Sequence, residues 1–194
     1  LSTYDAIAEV GSSLKRLIWD NISDKSLLGP EGSEGIILSH PNSNDKGTLS
    51  IFLYRIEEES YQKNQPWSSN GADKISRPPI SLNLFYMITP HFDKNMKDHI
   101  LNDHRLMGEV IRILYDHPVL KSPVLQGSLQ DDKLNLRFIS PSIDEINKIW
   151  SMPESTQYMI SAYYEVSPLR LDSDHDISIR RVTTYDAQIR HKDE

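Results

Sequence analysis

Cysteine is absent from the 194 residues. That excludes disulfides, thiolate metal sites and thiol nucleophiles, and leaves the redox compartment open. A basic surplus is absent too: 28 acidic residues stand against 21 basic ones, a net charge of −7. Binding nucleic acid without sequence preference needs a basic face, so no nucleic-acid partner is expected. No run of about 18 apolar residues occurs, so no membrane span is expected. The opening stretch LSTYDAIAEV lacks a basic region followed by an apolar one and does not read as a secretory signal. Internal repeats and low-complexity tracts are missing as well. What remains suits one domain of ordinary size with an appended arm, large enough to bury a core.

Apolar spacing predicts the elements. Ile7, Val10, Leu14, Leu17 and Ile18 recur at helical intervals, with Ser2 or Thr3 as a cap. NISDKSLLGPEGSEG then reads as a flexible loop. GTLSIFLYRI, 47–56, predicts a strand covered on both faces. The polar stretch 57–79 reads as a long loop, which is functional or disordered in most compact domains. ISLNLFYMIT, 80–89, predicts a strand with Leu82, Leu84, Tyr86 and Ile88 on one face. A helix over 97–116 places Ile100, Met107, Val110, Ile111 and Leu114 in one arc, and Pro118 ends it. KLNLRFI, 133–139, is a strand; Ser142 and Glu145 have capping-box spacing before a helix with Ile146, Ile149 and Trp150 on its apolar side. QYMISAYYEV, 157–166, predicts a strand closed by Pro168, with Tyr158, Ile160, Ala162, Tyr164 and Val166 on one face and Tyr163 on the other. The expected fold is α+β: a single mixed, largely antiparallel sheet of four to five strands with helices packed on it. Residues 1–171 form that domain, and 172–194 an arm that is an edge or exchanged strand.

Chemistry is hard to find. The pairs Asp103-His104 and Asp116-His117 look like parts of a site, but Asp103 and Asp116 lie thirteen residues apart, about 20 Å along one helix. Sequence neighbours on a helix do not face each other, and no His-Glu-x-x-His spacing occurs. His104 reads as the edge of the apolar stripe and His117 as a helix C-terminus, where a partly positive imidazole suits the dipole. GPEGSEG lacks the Lys-Ser/Thr of a phosphate loop and the spacing of a nucleophile elbow. Glu57, Glu58 and Glu59 lack the alternation of a cation loop and read as a solvated strand end. No catalytic, cofactor-binding or metal-binding residue is expected, and no enzyme. Trp67, in the polar loop, either folds back or waits for a partner. The candidate partner contacts are Trp67, Arg77, Ile177, Ile179, Arg180 and Arg181, the last four in the alternating stretch ISIRRVTTY, 177–185.

RPPISLNLFYMIT, HRLMGEVIRILYDHPVL and IWSMPESTQYMISAYYEVSPLRL, in that order, resemble the N-terminal domain of tail-cap, or tube-terminating, proteins of contractile injection systems, relatives of phage tail terminators. YDAIAEVGSSLKRLI and GTLSIFLYRI fit the same pattern, so the resemblance covers about residues 3–171. Asn83 departs from it, since the family's second strand often carries Asp there. The resemblance implies a structural protein that caps the distal end of the inner tube and sheath, ends polymerisation and anchors the last sheath ring. It implies a homohexamer, inner-tube and sheath partners and no cofactor. It also implies assembly in the cytoplasm as part of a particle open to release. The alternative is an adaptor or head–tail joining protein of a phage-like particle. The stretch 177–185 is expected to add as a strand to a sheath subunit.

Overall fold

Every second residue of a strand faces the same way, and that period organises the molecule. The computed structural model describes residues 4–43, 45–60, 66–69, 74–93, 95, 97–151, 158–173 and 176–178. Helix α1, Ala6–Asn21, buries Val10, Leu14, Leu17 and Ile18, as the spacing predicts. Ser2 and Thr3 lie outside the described residues; Asp5 holds the N-cap position and makes no side-chain cap bond. The GPEGSEG segment is not the flexible loop expected. Two 3-10 turns, Lys25–Leu28 and Gly32–Gly35, pack Leu28 and Gly35 into the interior. A Cβ on Gly35 would lie 2.4 Å from the Leu28 carbonyl oxygen, so only glycine fits there.

Strand β1, Ile36–Ile37, runs parallel to β2, Leu49–Glu58; β2 pairs antiparallel with β5, Ile80–Pro90. Helix α2, His99–Asp116, leads through β6, Val119–Leu120, to β7, Leu134–Ile139. Helix α3, Ile143–Ser151, then leads to β8, Ala162–Leu171, which inserts between β5 and β7. The sheet has six strands, β1-β2-β5-β8-β7-β6, mixed only through β1. Six exceeds the four to five expected, because β1 and β6 are two-residue strands that leave no alternation to read.

Leu82, Leu84, Tyr86 and Ile88 meet α1 and α2 on one face; Met87 and Tyr163 meet α3 on the other. The last long strand falls five residues later than its alternation predicts. Tyr158 and Ile160 are exposed and precede it, and Pro168 lies inside it rather than closing it. The β5–β8 register shifts between Leu82 and Leu84, opposite Pro168, so a bulge absorbs the missing N–H. In α2 the buried stripe is Leu106, Met107, Val110, Ile113 and Leu114; Ile100 and Ile111 belong to the exposed side, at 61% and 37%. Several arcs fit the same helical wheel, and contact with β5 and α1 selects one of them.

The stretch 57–79 is not one loop. It ends β2 and then forms β3, Ser68–Ser69, and β4, Lys74–Ser76. β4 pairs antiparallel with β9, Asp176–Ser178, giving a second sheet in the order β3-β4-β9.

Candidate interaction surfaces

The second sheet continues the first. β4 precedes β5, and β9 follows β8. Ile80 pairs with Leu171 in the main sheet, and Ile75 with Ile177 in the small one, so the two ladders run in nearly the same register. Pro78 and Pro79 separate them, since proline has no N–H for a ladder bond. β3 flanks β4 as β2 flanks β5. The result is a three-stranded β-arm beyond a proline break.

Three of the predicted contact residues come together on this arm. Trp67 immediately precedes β3 and is 43% exposed; Arg77 immediately follows β4; Ile177, 39% exposed, is the middle residue of β9. The β3–β4 register places Ser68 opposite Ser76, so Trp67 and Arg77 occupy the next pair of positions. Arg77 also lines a recess at the proline break with Glu58, Glu59, Ile80, Leu171 and Asp172. Ile179, Arg180 and Arg181 lie outside the described residues.

Asp103, Asp116 and His117 of the two Asp-His pairs bond to neighbouring groups of the fold. The Asp103 carboxylate accepts the Phe92 N–H at 3.0 Å and ties α2 to the end of β5. Burial raises its pKa, opposed by that hydrogen bond and by His99 and His104. His117 caps α2, with Nδ1 2.8 Å from the Ile113 carbonyl oxygen. Asp116 pairs with Arg112 at 3.4 Å. Among the described residues no group of three or more His, Asp or Glu could hold a metal ion. Glu57 and Glu58 form the exposed end of β2; Arg55 reaches Glu57 at 3.4 Å, and Asn83 donates to Glu59 at 3.0 Å.

Sequence reading missed a set of exposed apolar residues in the main sheet and its flanks. Leu38, Ile56, Val119, Phe138 and Ile143 are between 41% and 76% exposed. Phe138 continues the alternation of Leu134 and Leu136, so its pattern reads as core; only its place near the sheet edge exposes it.

Helices cover both faces of a mixed sheet, exposed apolar residues lie near its edges, and a three-stranded β-arm follows the proline break. The chain belongs to the Pvc16 N-terminal domain family, whose model matches residues 9–184. It is similar in fold to a chain in the cryo-EM structure of the sheath/tube terminator of PVC, an extracellular contractile injection system, in the extended state. The TM-score is 0.65 at 15% identity, over 99% of this chain and 65% of that one. It is also similar to the tube-terminating cap of the anti-feeding prophage, with a TM-score of 0.58 at 15% identity, over 97% of this chain and 62% of that one. The chain therefore spans less than two thirds of either of these structures' chains. No curated protein sequence matches it significantly.

Proposed function

We propose that the chain is a structural cap subunit that ends the inner tube and anchors the last sheath ring of a contractile injection particle. The observation that carries this reading is the family match over 9–184, together with a fold shared along 99% of the chain with a sheath/tube terminator. The chain works as a homohexamer, assembled with tube and sheath in the cytoplasm before the particle is released, and its role is mechanical rather than catalytic. A rotationally symmetric tube end presents identical open sites, and a cap of the same symmetry satisfies all of them together. Contacts that are weak singly become effectively intramolecular after the first.

The β-arm serves the sheath. Trp67, Arg77 and Ile177 cluster there, β9 is an outer strand of the small sheet, and 177–185 is the stretch that adds as a strand to a sheath subunit in this reading. The test is co-assembly with the tube and sheath proteins of the same particle, with lengths measured by electron microscopy. Added chain should arrest tube growth and stabilise the sheath end. Lengths and sheath ends unchanged at saturating chain would overturn the reading.

A further inference from the structure

The six-stranded sheet has two outer strands that are only partly covered. β1 pairs Leu49 and Ser50 of β2, and no other described strand lies outside 51–58. β6 pairs Leu134 and Asn135 of β7, the Pro118 carbonyl accepts the Leu136 N–H, and no described strand lies outside 137–139. Natural sheets blunt such edges because unpaired backbone groups recruit another strand. Here Arg55, Glu57 and Glu58 on β2 and Arg137 on β7 stand among exposed apolar side chains. Ile56 on β2 is 46% exposed and Phe138 on β7 is 54% exposed; Leu38 beside β1 and Val119 on β6 are also exposed.

We propose that the β7 edge of one copy of this chain adds to the β2 edge of the next, head to tail, and that this contact closes the ring. Three features support a second copy as the occupant. First, β2–β5, β5–β8 and β8–β7 are each antiparallel, so β7 runs antiparallel to β2. A neighbour's β2 placed beside β7 therefore continues the alternation unbroken. Second, β6 already holds Leu134 and Asn135, so the open span of β7 is 137–139; setting Ile56 opposite Phe138 then places exposed Glu57, which also pairs with Arg55, opposite exposed Arg137, with exposed Lys133 nearer the start of the strand. Asp131 and Asp132 sit in the turn behind Lys133. Third, unlike edges joined by rotation consume each other, and a closed ring leaves none over. The inference rests on the ring cap proposed above and names its subunit contact.

The absence of cysteine makes the test clean. Ile56→Cys and Phe138→Cys chains are prepared separately, then mixed. Each sample, alone and with the tube protein, is treated with a short bismaleimide, whose reach spans neighbouring register positions. A cross-link that needs both variants in one sample supports the inference, and the double variant should then give ladders of linked copies. Cross-links within a single variant indicate like-edge pairing and overturn it, as does the absence of any cross-link. Phe138→Lys should weaken self-association about tenfold or more, as loss of a buried aromatic anchor does, with the thermal melt as its control for folding. Tube-length measurements on the same samples separate the two readings. Capping without the unlike-edge link leaves the cap and removes this contact; the link without capping does the reverse.

Discussion

His91 sits where the end of β5 meets α2, in a recess it shares with His99, Asp103 and His104. Burial lowers its pKa below the usual 6.5, and burial does the same to His40, which packs against Phe52 and Trp150. Both are therefore kept neutral in the folded chain at pH values where the unfolded chain takes up protons. The unfolded state binds more protons below 6.5, so stability falls as the solution is acidified through that value. Asp103 works the other way, because its raised pKa lets the folded state bind a proton first, but only in the carboxylate range. Lowering the pH from about 7.5 to about 5.5 should reduce the melting temperature, and His91→Asn should flatten that dependence. An equal slope in the variant would remove His91 from the account. None of this was legible beforehand, since the burial of His91 depends on residues distant in sequence. His117 was legible, because Pro118 marks the helix end wherever the helix packs.

Elements differ in how much of themselves they carry in sequence. The capping box of α3 is local. The Glu145 N–H donates to Ser142 Oγ at 3.3 Å, and the Glu145 carboxylate accepts the Ser142 N–H at 2.9 Å. Glu145 also reaches back to Arg55 on β2 at 3.2 Å, tying the helix to the sheet. Ser142→Ala should cost about 1 kcal/mol in a denaturant titration. A cost near zero would mean that the α3 packing of Ile149 and Trp150 holds the first turn without its cap. β8 shows the opposite case. Its alternation starts too early in the sequence, and Pro168 looks like a stop. Pairing with β5 and β7 decides where it begins, and a bulge carries it past the proline.

At the scale of the molecule, the main sheet owes its stability to two covered faces, and the β-arm to its ladders beyond Pro78 and Pro79. Among the described residues, the large buried cluster includes none from β4 or β9. A chain ending at Ser173 should therefore keep its cooperative melt, with the melting temperature lowered by a few degrees, about 1 kcal/mol at most. On the proposed role of the β-arm, the same truncation should weaken sheath binding while leaving the tube contact intact. Loss of the cooperative melt would show that the arm and the sheet fold as one unit. Unchanged sheath binding would remove β9 and the stretch beyond it from the docking surface.

The sequence alone determined the helices with strong periodicity, the central strand 80–89 with its two faces, and the capped start of α3, because those signals lie within a few residues of each other. It also carried the family resemblance. Only the tertiary structure decided the insertion of β8 between β5 and β7, the assembly of Trp67, Arg77 and Ile177 on one arm, and which apolar residues stay exposed at the edges. Strand order and burial depend on contacts between segments far apart in the chain. Local spacing reports which residues share a face, and packing decides whether that face is covered.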